Sequence, residues 1–269
     1  MSLSLHQLTA LDASPRELID IARRLGVSSV CLFTHVPMAG VGRFPLVAKS
    51  DVRDLRAVLE EAGVTLSNLE VFPLDRTGPR DDLDLGLELG AALGATRATA
   101  HIHEVSSNDE AVDRFAEFAT RAAAHGIVAG LEFNNFSTVR DIASAERVVR
   151  SAGRGSLVLD MLHAVRGGAT TSDVARASDL IYYTQLCDGP ADMPGDGRWR
   201  EAVGERLPPG EGDFPLIELA RALRAEVIFD IEVPQSSARK AGVSAFERAR
   251  QAVDASRRFL AKLDDERAP

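Results

Sequence analysis

The amino-acid sequence predicts an α/β protein folded as a single (β/α)8 TIM barrel over residues 1–269. Three observations lead there. Short apolar or β-branched runs alternate with amphipathic stretches from one end of the chain to the other, which implies a parallel sheet with helical cover. The alternation recurs eight times, and 269 residues divided among eight units give about 34 each, the length of one strand, one helix and two loops. An open doubly wound sheet normally carries a Gly-rich phosphate turn after its first strand, and the segment Leu8–Pro15 holds no glycine.

In chain order, a strand at about Leu3–Leu8 precedes a helix at Ser14–Leu25. There Ser14 is the N-cap, Pro15 fills the first helical position and Glu17 completes a capping box. Strand Ser29–Thr34 runs through the Gly/Pro/Met-rich segment His35–Pro45, read as a loop over the barrel mouth, to helix Asp51–Ala62. Strand Thr65–Phe72 pairs with helix Arg80–Leu93, strand Arg97–His103 with Asn108–His125, and strand Val128–Asn134 with Thr138–Ser151. Strand Leu157–Met161 leads to helix Thr171–Ala177. Strand Ile181–Cys187 is followed by the longest non-periodic segment, Gly189–Asp213, and then by helix Phe214–Leu223. Strand Val227–Val233 and helix Ser244–Leu260 complete the set. Gly26, Gly63, Gly94, Gly126 and Gly153 each stand just past a helical pattern, where a left-handed residue ends a helix. No composition shift or linker divides the chain.

Composition narrows the partners. Lys and Arg number 31 against 40 Asp and Glu, a net charge of −9, which argues against a nucleic-acid backbone or an anionic membrane surface. Cys31 and Cys187 lie far apart without CxxC spacing, so neither a disulfide framework nor a Cys-based zinc site is expected. No apolar run approaches the ~18–20 residues of a membrane span, and the N-terminus lacks the layout of a signal peptide. The expectation is a cytoplasmic protein acting on a small molecule.

In such a barrel the active site lies at the C-terminal ends of the strands. Polar residues fall there as Glu70, His101 and His103, Glu132 and Asn134, Asp160 with His163, Gln185 with Asp188, and Glu232. Strand alternation puts Glu132 and Asn134 on one face, and Gln185 and Glu232 share faces with Tyr183 and Asp230 respectively. If these faces point inward, Glu132, Asp160, Gln185 and Glu232 converge on one mouth. Three converging carboxylates repel unless a cation stands between them. An all-oxygen set favours Mg²⁺ or Mn²⁺, with Zn²⁺ and Co²⁺ as the alternatives. Solvated loop entries are the structural alternative for each acid taken singly.

The order of elements and the segments LEFNN, LDMLH, QLCD, DIEVP and LPPGEGDFPLIELARAL resemble the sugar phosphate isomerase/epimerase family of xylose isomerase-like TIM barrels. The resemblance covers nearly the whole chain and is strongest from Leu131 to Pro234. It implies a metal held by Glu132, Asp160, Gln185 and Glu232. The family's HxxD pattern reads Gln185-Leu186-Cys187-Asp188 here, so a carbonyl oxygen replaces an imidazole. A Glu/Asp/Gln/Glu quartet is similar to that of some bacterial 3-dehydroshikimate dehydratases of the same superfamily. His163 matches the family's DxxH pattern, which implies contact with substrate or orientation of Asp160.

Around that quartet, His101 and His103 suit substrate hydroxyls or proton transfer, or else fill a barrel layer. Glu70 binds a substrate hydroxyl or pairs with a neighbouring cation, and Asn134 and Asp188 complete the substrate-binding candidates. Arg206, in the long segment after the seventh strand, meets a substrate carboxylate or phosphate, or else pairs with Glu205 or Glu211 at the surface. His6 and His125 are assigned no function. The expected reaction is isomerisation or epimerisation of a sugar or polyhydroxy ketone through an enediolate, with Glu132 and Glu232 moving the proton. The alternatives are a dehydratase on the same site and a non-catalytic sugar-binding barrel. DNA-repair endonucleases of the superfamily need a histidine-rich multi-zinc site and a basic groove, which six histidines and a charge of −9 do not favour. A homodimer is plausible for such barrels, with no interface specified.

Overall fold

Each apolar run pairs in parallel with the runs before and after it, and the last returns to the first. The eight strands of this computed structural model are β1 (Ser2–His6), β2 (Ser29–Phe33), β3 (Thr65–Pro73), β4 (Arg97–His101), β5 (Val128–Glu132), β6 (Ser156–Asp160), β7 (Ile181–Leu186) and β8 (Ile228–Ile231). They close a barrel in sequence order, sealed where Ser4 pairs with Asp230 and Leu5 with Ile231. The structure describes residues 2–35, 45–74 and 80–267, so most of the mouth loop expected over His35–Pro45 lies outside the described residues.

The helices are α1 (Pro15–Arg24), α2 (Val52–Ala62), α3 (Arg80–Leu93), α4 (Asn108–Ala124), α5 (Ile142–Ala152), α6 (Met161–Arg166), α7 (Thr171–Ala177), α8 (Arg198–Gly204), α9 (Leu216–Arg221), α10 (Ser236–Lys240) and α11 (Ala245–Arg267). The capping box forms as read. Ser14 Oγ accepts from Glu17 N–H at 3.3 Å, and the Glu17 carboxylate accepts from Ser14 N–H at 2.7 Å. Replacing Ser14 by Ala is expected to cost about 1 kcal/mol, measured as a lower denaturation midpoint with an unchanged slope. Gly63 and Gly153 end α2 and α5 in the left-handed region, with φ of 64° and 66°.

Several boundaries differ from the sequence reading for local reasons. Thr138 does not open α5, because Asp141 caps it by accepting from Ser144 N–H at 2.7 Å. α6, α8 and α10 were not anticipated; they span 6, 7 and 5 residues, too short for an apolar stripe to repeat. β4 and β5 stop at His101 and Glu132, so His103 and Asn134 stand in the loops just beyond.

Alternation along β1 sends Leu3 and Leu5 to one face and Ser4 and His6 to the other. The inward pair meets β3, with Ser4 Oγ 2.8 Å from Ser67 Oγ and His6 Nε2 2.6 Å from Glu70 Oε2. The barrel interior is therefore polar, and Asn68, Thr99, Gln185 and Asp230 are buried there too. Burial pushes the Asp230 carboxyl up to about 6. The apolar core lies between strands and helices, where Leu18, Phe115, Phe118, Val148 and Leu219 are buried. Among the described residues no helix is long and apolar enough to cross a membrane.

Candidate functional site

The ends of four successive strands bring Glu132, Asp160, Gln185 and Glu232 together, with Asp160 opposite Gln185 and Gln185 opposite Asp230 in register. Glu132, Gln185 and Glu232 line a cavity of about 530 Å³ that also takes in Glu70, His101, His103, Asn134, His163 and Arg206. Asp160 is fully buried just beneath. Its Oδ1 accepts from the N–H groups of Leu162 and His163 at 2.7 and 3.2 Å, so this carboxylate also caps α6.

Arg206 corrects the sequence reading. Its guanidinium pairs neither with Glu205 nor with Glu211, and much of its fork is engaged inside the protein. Nη1 donates to Asp160 Oδ2 at 2.8 Å, Nη2 lies 3.3 Å from Glu232 Oε1, and Nε donates to Ala202 O at 2.9 Å. A cation thus already stands between two of the three carboxylates, and their repulsion alone no longer requires a metal. The third, Glu132, has His101 Nε2 2.9 Å from its Oε2. Burial alone would raise the Glu132 carboxyl, but the charge of His101 at this short distance holds it down at about 2. Glu232 goes the other way: burial pushes it well above the usual carboxylate range, and Arg206 offsets only part.

His163 is held by the loop after β5. Its Nδ1 lies 3.2 Å from Asn135 Oδ1, an acceptor, so the ring proton sits on Nδ1 and the Nε2 lone pair points away from Asn135. Nε2 is 4.0 Å from Asp160 Oδ2, and burial lowers the ring's basicity, leaving it neutral at pH 7. His101 and His103 stand edge to face at 5.3 Å. Asn134 makes a turn, its Oδ1 accepting from Phe136 N–H at 3.2 Å.

Two further expectations change. Asp188 does not line the cavity; its carboxylate accepts from the N–H groups of Gly189, Gly210 and Phe214 at 2.8, 2.8 and 3.0 Å, so it shapes the PPGEGD turn instead of touching substrate. Glu70 lines the cavity, but its oxygens are already engaged by His6, Asn68 and Gln185. His6, assigned no function from sequence, anchors that carboxylate. The available signal was its position at the end of the first strand, in step with the other strand-end residues.

The donor set can hold a divalent cation, with the His163 imidazole close to two of the carboxylates. Ligand atoms of Glu132, Asp160 and His163 lie within 4.8 Å of one another. Gln185 Oε1 and Glu232 Oε2 are buried with no hydrogen-bond partner among the described residues, an arrangement that is costly unless something else satisfies them. A second group, His6, Cys31, Glu70 and Asp230, is equally close. Its histidine is not poised as a ligand, because Leu8 N–H donates to His6 Nδ1 at 3.0 Å, which leaves the ring proton on Nε2, the atom facing Glu70.

The cavity's rim is apolar. Phe136 and Trp199, each 41% exposed, meet edge to face at 5.1 Å. Trp199 rides on α8, which Arg166 fastens through Glu201 by bonds of 2.9 and 2.5 Å. The same guanidinium donates to the carbonyls of Pro190 and Ala191 at 2.8 and 3.1 Å. The long segment after β7 is thereby tied to α6, the helix that carries His163.

Solved structures share this architecture at low identity. An IolI protein with a bound zinc atom superposes with a TM-score of 0.81 at 19% identity, over 98% of this chain and 99% of that one. D-psicose 3-epimerase with D-tagatose from Clostridium cellulolyticum H10 gives 0.74 at 15%, over 98% and 99%. The probable 3-DHS dehydratase AsbF from Bacillus anthracis gives 0.73 at 13%, over 94% and 98%. These likenesses establish the fold. No curated protein matches the sequence. The family model described as xylose isomerase-like TIM barrel matches residues 19–263, nearly the whole chain, and the protein belongs to that family.

Proposed function

We propose that the protein is a divalent-metal-dependent isomerase or epimerase of a small hydroxy-carbonyl compound, a sugar or related polyhydroxy ketone. The carrying observation is the pair of buried, unpartnered oxygens, Gln185 Oε1 and Glu232 Oε2, on strands that converge with those of Glu132 and Asp160. These four residues would hold the cation, and their oxygen-only donors favour Mg²⁺ or Mn²⁺. When bound, such a cation supplies Lewis acidity that polarises a substrate carbonyl and acidifies the neighbouring C–H.

The chain's own groups do the rest. Glu132, kept ionised beside His101, takes the proton from that carbon. Glu232, at the end of another strand of the same cavity, is the second carboxyl, for return of a proton to the same carbon in an epimerisation or to its neighbour in an isomerisation. His163 Nε2 accepts a hydrogen bond from a substrate hydroxyl. Phe136 and Trp199 narrow the mouth against water. The zinc of the IolI structure and the ketose of the epimerase structure support the reading.

One observation favours a second outcome. Gln185 replaces the family's histidine, as in the quartet of 3-dehydroshikimate dehydratases, and a probable 3-DHS dehydratase shares the fold. The same proton removal followed by loss of a β-hydroxyl makes the site a dehydratase. The test is metal analysis together with solvent-deuterium exchange into candidate ketoses and 3-dehydroshikimate. The expected result is a bound divalent metal and deuterium at the carbon beside the carbonyl. A new conjugated absorbance from 3-dehydroshikimate selects the dehydratase, and neither metal nor exchange selects a sugar-binding barrel.

A further inference from the structure

A carboxamide at the end of β7 poses a problem that an imidazole does not. Its planar group carries an acceptor and a donor side by side, and only the oxygen suits a cation. A half-turn about the terminal bond exchanges the two. A glutamine ligand therefore needs a neighbour that fixes which atom faces the pocket.

Glu70 is such a neighbour. It comes from β3, four strands away from β7 and thus on the opposite wall of the barrel, and it reaches Gln185 across the interior. Gln185 Nε2 donates to Glu70 Oε1 at 3.0 Å. The same Oε1 accepts from Asn68 Nδ2 at 2.9 Å, and Oε2 takes the Nε2–H of His6 at 2.6 Å. Three N–H donors converge on this carboxylate, so it serves as an acceptor only. If the amide turned over, Gln185 Oε1 would face Glu70 Oε1 oxygen to oxygen, with no proton between them. The amide is held with its nitrogen toward Glu70 and its oxygen away, buried and without a hydrogen-bond partner among the described residues.

We propose that Glu70 is the positioning residue for Gln185: braced by His6 and Asn68, it locks the amide so that the carbonyl oxygen is presented as a cation ligand where the family resemblance places an imidazole. The inference rests on the metal-dependent reading above. To the two readings open for Glu70 from sequence, a substrate hydroxyl or a neighbouring cation, it adds an action through Gln185, and it makes the acid on β3 and the amide on β7 one functional unit.

The experiment is calorimetric titration of Mn²⁺ into metal-stripped wild type, E70Q, E70D, Q185H and the double variants E70Q/Q185H and E70D/Q185H. Thermal unfolding checks that each is folded, and Co²⁺ absorption spectra report the ligand set independently. E70Q keeps the shape of Glu70 but accepts either face of the amide, so Mn²⁺ binding is expected to weaken about 10–100-fold. E70D keeps the charge and withdraws the acceptor by one methylene, and is expected to weaken binding by about tenfold. Imidazole has no carbonyl to misorient, so each double variant is expected to bind within about threefold of Q185H. If E70Q does not fold, E70D and E70D/Q185H decide the matter on the same terms.

Wild-type affinity in both E70Q and E70D overturns the proposal. So does an equal loss in the Q185H background, which means that Glu70 acts through its charge alone. A wild type that binds no divalent cation overturns the metal-dependent reading and this inference with it.

Discussion

Glu132→Gln is expected to lower deuterium exchange beside the substrate carbonyl by about 10²–10⁴-fold, and Glu232→Gln by a similar factor. Gln matches Glu in shape but takes up no proton, so packing in the cavity is kept while the transfer is lost. The two carboxyls are not interchangeable. Glu132 is held at about 2 against burial, chiefly by His101. Burial raises Glu232, and the charge of Arg206 opposes that rise. Both are also proposed ligands, so metal content must be measured beside exchange by NMR. Loss of exchange at full metal occupancy assigns proton transfer, whereas loss of both assigns ligation. Unchanged exchange in both variants would sink the acid–base assignment.

Arg206→Met is expected to destabilise the protein by about 3–5 kcal/mol, because it leaves Asp160 and Glu232 buried without the guanidinium between them. For a chain of this size that is a fall in melting temperature of roughly 6–20 °C in chelator. Added Mn²⁺ is expected to recover part of the loss, since a cation ligated by Asp160 and Glu232 replaces the missing charge. Arg206→Lys should fall between the two, because an ammonium spans the two carboxylates less well than a planar fork. The reading fails if R206M melts with wild type, or if Mn²⁺ stabilises the two proteins equally.

Much of the fold was legible because its signals are local. The Ser14 capping box, the glycines after the helices and the alternation of strand residues are each settled within a few positions, and the structure places them as read. The strand-end acids were legible for the same reason, since barrel closure turns a position along a strand into a position around the mouth. What escaped depends on pairs distant in sequence. Arg206 finds Asp160 46 residues away and Gln185 finds Glu70 115 residues away, and no spacing in the sequence joins them. Asp188 was misread because a strand-end carboxylate looks the same in sequence whether it meets a substrate or the backbone of the next turn. α8 was missed because a seven-residue helix has too few turns to show a period.

The position of Trp199 has a practical consequence. It is the only tryptophan in the chain, and it stands at the cavity rim on a helix pinned through Glu201. All indole emission from the protein therefore originates at that one opening. The molecule carries its own optical probe of occupancy, readable without a label and without turnover. Candidate ligands can then be ranked by simple titration before any of them is known to react.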